Sequence, residues 1–323
     1  MAPKIVTIVG ATGAQGKGVV SAFINNPAYK VRAITRNPSS PSSVALAAQG
    51  AEVVSADLNS LASLTSAFAG SSIIYGVTNF FEPFIAHQSP TAAMDVEFTQ
   101  GVNLARAAAA TASTLEHYIW STLPNASAIS GGKYLVPHFE GKNRIDAYIR
   151  TELPDLLKKT TFLWVTWYHA NYTFPMFTPY FIPTAGKYVQ FANFSPETPI
   201  QTIGDVSVNL GNFVSAIVEN ADRTRDGRTV LAATETWTAG EMLQAWAGAQ
   251  NPPVRAQMVR VDGGAYRELW PLWAEEMGVM MEFWDEYAEK SWTDPKGGVV
   301  LTGKDLGVEK VQGLVEAYRG LKL

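Results

Sequence analysis

The chain of 323 residues contains no cysteine. Disulfide staples, cysteine nucleophiles and thiolate metal sites are thereby excluded, which is compatible with a reducing compartment. The four histidines, His87, His117, His138 and His169, show no metal-ligand spacing, so no metal is expected. Charge is scarce as well. Asp, Glu, Lys and Arg make up 17% of residues, the net charge is −4, and no basic block exceeds two residues. Binding a phosphate backbone needs a concentrated cationic face, so nucleic acid is not the expected partner. No run approaches the ~18 apolar residues of a membrane span. The first strand begins by Lys4, which leaves no room for a signal peptide, and a cytoplasmic protein without membrane attachment is expected. Apolar material is plentiful at 47%, enough for a large core.

The opening segment carries the strongest pattern. Lys4-Ile-Val-Thr-Ile-Val9 is a short apolar run, followed at once by Gly10-Ala-Thr-Gly13-Ala-Gln-Gly16-Lys-Gly18 and the helical pattern Val19, Val20, Ala22, Phe23. A strand, a glycine turn and a helix in this order present bare backbone N–H groups and the positive end of a helix dipole to an anion, which suits a pyrophosphate. A second strand, Lys30–Thr35, closes the βαβ unit and ends on Arg36. A carboxylate there would accept from the adenine-ribose hydroxyls of NAD. Here the residues are Thr35-Arg36-Asn37-Pro38. An arginine pairs bidentately with a 2′-phosphate, so NADP(H) is the expected cofactor; the alternative is a solvated residue at a strand end.

Further strands are expected at Glu52–Ala56, Ser72–Val77, His117–Ser121 and Thr161–Thr166. Between them lie helical stretches at Ala45–Gln49, Ser60–Phe68, Val96–Ala112 and Phe139–Thr151. Alternation at this spacing predicts an α/β protein, a doubly wound parallel Rossmann sheet with a smaller α+β C-terminal lobe. The division expected is a nucleotide-binding domain over 1–166 and a substrate or lid lobe over 167–323, with about 200–234 returning to the main sheet through a helix after Asp205 and a strand at Gly227–Thr234. Thr238-x-x-Glu241 reads as a capping box. The remainder reads as helical, and Trp270, Trp273, Trp284 and Trp292 are expected in the core or a subunit interface rather than around a ligand.

Several motifs follow in order: the glycine loop, Val31–Pro38, Gly50-Ala-Glu-Val-Val with Asp57, Gly76-Val-Thr-Asn-Phe80 and His138-Phe-Glu-Gly-Lys142. Together they resemble the NmrA-like family of atypical short-chain dehydrogenases/reductases, most strongly over residues 4–172. The resemblance implies that Thr12, Gly13, Ala14 and Gln15 line the pyrophosphate beside Gly10 and Gly16, and that Arg36 holds the 2′-phosphate. It places Asp57 and Leu58 beside the adenine, with a simple turn cap as the alternative for Asp57. Val77, Thr78 and Asn79 would flank the ribose and nicotinamide, which also follows from ligand binding at the carboxyl ends of strands.

Ordinary short-chain reductases use a Tyr-x-x-x-Lys pair on one helix face; here the pair is His138-x-x-x-Lys142. Lys142 keeps the ribose-binding cation, and His138 suits a proton donor with its ordinary pKa of ~6.5, or else caps the helix. Ser121 would orient the substrate. Tyr134 lies one helical step further back if the helix begins early, and otherwise packs. Tyr168, His169, Asn171 and Tyr172 are placed to roof the nicotinamide, with Tyr168 and Asn171 as cofactor contacts. Two functions remain open. One is an NADPH-dependent oxidoreductase reducing a carbonyl, imine or activated alkene of an aromatic small molecule, with secondary metabolism as one setting. The other is a non-catalytic NADP(H)-sensing regulator that binds a partner protein. A homodimer is compatible with either.

Overall fold

A computed structural model describes residues 2–321. The first six strands are β1 (Lys4–Val9), β2 (Tyr29–Thr35), β3 (Glu52–Ser55), β4 (Ile73–Gly76), β5 (His117–Thr122) and β6 (Thr160–Val165). They join two later segments, Arg228–Ala232 and Val300–Thr302, in one eight-stranded sheet. Its order is Val300–Thr302, Arg228–Ala232, β6, β5, β4, β1, β2, β3. All of its pairings are parallel. The chain order reverses between β1 and β4, and an open α/β sheet leaves its ligand crevice at that point, beyond the carboxyl ends of the strands.

Both faces of the sheet are covered, so its strands read as near-continuous apolar runs. Val6 and Ile8 of β1 pack with helix α1 (Ala14–Phe23) and the helix Val206–Glu219, through Val20, Phe23, Leu210 and Phe213. Val9 and Ile34 face the other way, toward Leu64, Leu104 and Ile145 of the helices Leu61–Phe68, Pro90–Ala110 and Pro137–Glu152. Glycine sets two close helix contacts. A Cβ on Gly211 would stand 2.2 Å from the Gly18 carbonyl oxygen, so α1 and Val206–Glu219 touch backbone to backbone. A Cβ on Gly101 would stand 2.2 Å from Ile145 Cδ1, joining the Pro90–Ala110 and Pro137–Glu152 helices.

The rest of the chain builds a second lobe. Pro199–Gly204 lies between Trp167–Tyr168 and Glu235–Thr238 in a three-stranded sheet, and Lys187–Ala192 lies between Ala256–Arg260 and Tyr180–Ile182 in another. The stretch about 200–234 is therefore split: residues 199–204 serve the lobe, while 206–219 and 228–232 serve the main sheet. The capping box forms, with Thr238 Oγ1 accepting from Glu241 N and Glu241 accepting from Thr238 N. The C-terminal segment is less helical than its pattern suggests. Val300–Thr302 is too short to show a period of two, yet it extends the main sheet beside Arg228–Ala232. No described helix is long and apolar enough to cross a membrane.

Candidate active site

The turn after β1 is shaped for close approach of a ligand. Gly10 has φ of 64°, a conformation costly for a side chain. A Cβ on Gly16 would lie 2.1 Å from the Gly10 carbonyl oxygen, so nothing larger than glycine fits. Gly13 caps α1 without any side-chain hydrogen bond, which leaves the first N–H groups of the helix uncapped by the protein's own side chains. Gly10, Thr12, Gly13, Ala14, Gln15 and Gly16 line one wall of a cleft of about 1030 Å³. Arg36, Asp57, Leu58, Val77, Thr78 and Asn79 line the same cleft.

Several of these side chains already have protein partners. Arg36 donates to both oxygens of Glu82, at 2.6 and 3.0 Å, and hydrogen bonding and charge from Glu82 hold its pKa above the usual arginine value. Asp57 Oδ1 accepts from the backbone and side-chain N–H groups of Asn59, so it caps its turn while lining the cleft. Asn79 Oδ1 accepts from Phe81 N at the start of the helix Phe81–His87.

Gln15 ties the glycine turn to three other segments. Its Oε1 accepts from Tyr75 of β4 and from Ser121 of β5, and its Nε2 donates to the Tyr168 hydroxyl at 2.6 Å. Ser121 Oγ, 2.8 Å from Gln15, is thus engaged in positioning the turn. Burial pushes the Tyr168 phenol up to about 12, so it stays neutral near physiological pH. Asn171 also lines the cleft, whereas His169 and Tyr172 do not. His169 bonds the Gly204 carbonyl at 3.1 Å, and Tyr172 stacks on Tyr318 with ring centres 5.3 Å apart.

The Pro137–Glu152 helix sets His138, Lys142 and Asp146 one turn apart, on one face. Lys142 is buried and donates to Glu97 Oε1 at 2.8 Å and Thr78 Oγ1 at 2.9 Å; Thr78 Oγ1 in turn donates to Glu97. A third, longer contact reaches the Thr78 carbonyl at 3.4 Å, so one of the three ammonium N–H groups is only weakly held. His138 Nδ1 pairs with Glu276, a fully buried carboxylate that also accepts from His138 N. That pairing leaves Nε2 as the ring nitrogen available to the cleft, which His138 lines. Asp146 accepts from Trp120 Nε1 and Thr122 Oγ1, and burial raises its carboxyl to about 7.

Tyr134 stands elsewhere. The helix begins at Pro137, with Val136 as its cap, so Tyr134 precedes it and shares no helical face with Lys142. Its hydroxyl donates to Glu286 at 2.7 Å, its ring packs on Phe283 and Tyr287, and it does not line the cleft. Proline at a first helical position starts the helix there, because its fixed φ and missing N–H cost nothing at that point.

Beyond His138 the cleft becomes apolar and aromatic, lined by Phe81, Phe174, Met280, Trp284 and Trp292 among others. Trp284 and Trp292 are indeed buried, but they also form this wall. Three carboxylates beside the candidate residues escaped sequence reasoning: Glu82, Glu97 and Glu276. Glu97 carried a readable signal, since it interrupts the buried stripe Ala93, Gly101, Leu104, Ala105, Ala108. Glu276 sits in a π-turn, Ala274–Gly278, whose register no periodicity announces. Among the described residues no group of three or more His, Asp or Glu side chains is placed to hold a metal.

A model of the NmrA-like family matches residues 2–314. An NmrA-like family domain-containing oxidoreductase of Aspergillus hancockii is 33% identical over 249 residues, covering 74% of this chain and 70% of its own. Among solved structures, NmrA, a negative transcriptional regulator in complex with NADP, is similar with a TM-score of 0.73 at 20% identity, over 99% of this chain and 96% of that one. An NADPH-dependent quinone oxidoreductase from Escherichia coli, complexed with NADPH, gives a TM-score of 0.65 at 17% identity, over 97% and 98% of the two chains. At such identities the structural likeness establishes a shared fold.

Proposed function

This chain belongs to the NmrA-like family, and from that premise we propose that it is an NADPH-dependent oxidoreductase of the atypical short-chain dehydrogenase/reductase type, reducing an aromatic small molecule. One observation carries the reading: the glycine turn, Arg36, Lys142, His138 and an aromatic wall all line a single continuous cleft. Small-molecule sites commonly join apolar walls to a few placed polar groups. The oxidoreductase name of the Aspergillus relative and the NADP-bound states of two similar folds support it.

The residues fit the cofactor. The Gly16 cradle that a Cβ would fill and the uncapped start of α1 suit a pyrophosphate. Arg36 suits the 2′-phosphate, and Asp57 and Leu58, which line the cleft, would flank the adenine end. Val77, Thr78, Asn79, Tyr168 and Asn171, which line the same cleft, would surround the nicotinamide half. When bound, NADPH supplies a hydride. Lys142 would orient the ribose with its weakly held N–H, while the Glu97 carboxylate holds the ammonium in place. His138 delivers a proton from Nε2 to the oxygen, nitrogen or carbon that gains it, while Glu276 holds Nδ1 and fixes the ring. Gln15 carries the load of positioning, through Ser121 and Tyr168.

The test is oxidation of NADPH, followed by loss of its reduced-nicotinamide absorbance, with a panel of aromatic carbonyls, imines, quinones and activated alkenes. Turnover that survives in Lys142→Ala refutes the catalytic assignment. The regulator reading draws support from the engagement of Lys142, Ser121 and His138 by other protein groups. It predicts partner capture that depends on NADP(H), with no turnover across the panel.

A further inference from the structure

Arg36 and Glu82 meet fork to fork at the mouth of the cleft. Nη1 lies 2.6 Å from Oε1 and Nη2 lies 3.0 Å from Oε2, which is the arrangement a 2′-phosphate would itself adopt on this guanidinium. Glu82 stands in the first turn of the helix Phe81–His87, and both side chains line the cleft. Bound there together, a phosphate and the carboxylate would compete for the same two N–H donors and repel one another, with Asp57 adding negative charge nearby. The pair is open to solvent, its side chains 69% and 52% exposed, so water and salt keep it weak and exchangeable.

We propose that Glu82 is a specificity-determining residue that occupies the 2′-phosphate seat on Arg36 and must be displaced by it, setting how far NADPH is favoured over NADH. The inference rests on reading Arg36 as the 2′-phosphate ligand. Displacement has a route into the rest of the site. The preceding residue, Phe81, has its ring centre 5.5 Å from that of His138 and 5.6 Å from that of Phe174, so the carboxylate is one residue away from the aromatic wall.

Glu82→Gln removes the charge while keeping the size of the side chain. Binding is read from the tryptophan fluorescence of the full chain, titrated separately with NADPH and NADH. The expected result is a Kd for NADPH lowered about two- to fivefold, the range of an exposed ion pair, with the NADPH:NADH preference raised by the same factor. A preference that is unchanged or moves toward NADH overturns the role of Glu82. Arg36→Ala separates the two readings. If it erases the wild-type preference for NADPH while Glu82→Gln changes nothing, only Glu82 is overturned. If Arg36→Ala leaves NADPH binding intact, Arg36 is not the phosphate ligand and both readings fail.

Discussion

In the proposed reading, Lys142 serves stability and chemistry together. Its ammonium and Glu97 are both buried, and removing one member of such a pair strands a charge, at a cost of about 3–5 kcal/mol. Lys142→Ala is therefore expected to lose about that much stability in denaturant unfolding as well as turnover. Lys142→Met combined with Glu97→Leu separates the roles. With both charges gone the double variant should recover most of the stability and still fail to turn over; recovery of activity would show that Lys142 is only structural. Arg36 is simpler, since it is largely exposed. Charge-assisted hydrogen bonds contribute about 1.5–3 kcal/mol, so Arg36→Ala should raise the Kd for NADPH roughly ten- to hundredfold. The Kd for NADH, measured by calorimetric titration alongside that for NADPH, should stay within about a factor of two, because NADH offers no 2′-phosphate.

At the scale of elements, glycine decides how closely α1 can be approached. Gly211→Ala would drive a Cβ to 2.2 Å from the Gly18 carbonyl oxygen, backbone that cannot turn aside as a side chain would. Overpacking of this kind costs about 1–3 kcal/mol, and a lowered unfolding midpoint for Gly211→Ala, with NADPH still bound once folded, is the expected outcome. Gly16→Ala should instead abolish NADPH binding, because the strain falls on the turn itself. These elements were legible in the sequence where a period or a turn signal repeats: the βαβ unit, its glycine loop, the strands β4 to β6 and the capping box at Thr238 all stand where their patterns place them. The start of the Pro137–Glu152 helix is marked by Pro137 rather than by any period, and Tyr134, which would share its face only if the helix began early, stands before its cap. Val300–Thr302 and the π-turn holding Glu276 were hidden, being too short or too irregular to carry a period. The glutamates that pair with Arg36, Lys142 and His138 lie 46, 45 and 138 positions away in the chain, and only the folded packing brings each pair together.

Across the whole molecule, burial of titratable groups couples stability to pH. The Asp146 carboxyl is raised to about 7 in the fold, against ~3.9 in an unfolded chain, so the native state binds the extra proton between those values. Its contribution is full below about pH 4 and is lost as pH rises through 7. His117 works in the opposite sense. Burial lowers its imidazole to about 3, so its contribution is full above the ordinary value near 6.5 and is lost as pH falls toward 3. Asp146→Asn should therefore flatten the fall of Tm between pH 5 and 8 and leave the acid limb due to His117 in place. An unaltered fall would mean that Asp146 is ionised throughout. The two lobes share one cleft, so the central claim concerns the molecule as a whole: the glycine turn and Arg36 hold a phosphorylated dinucleotide against His138, Lys142 and the aromatic wall. Calorimetric titration of the intact chain with NADPH and then with NADH tests it most directly. Single-site binding with NADPH clearly tighter than NADH is the predicted result, and no binding, or NADH bound as tightly as NADPH, would contradict it.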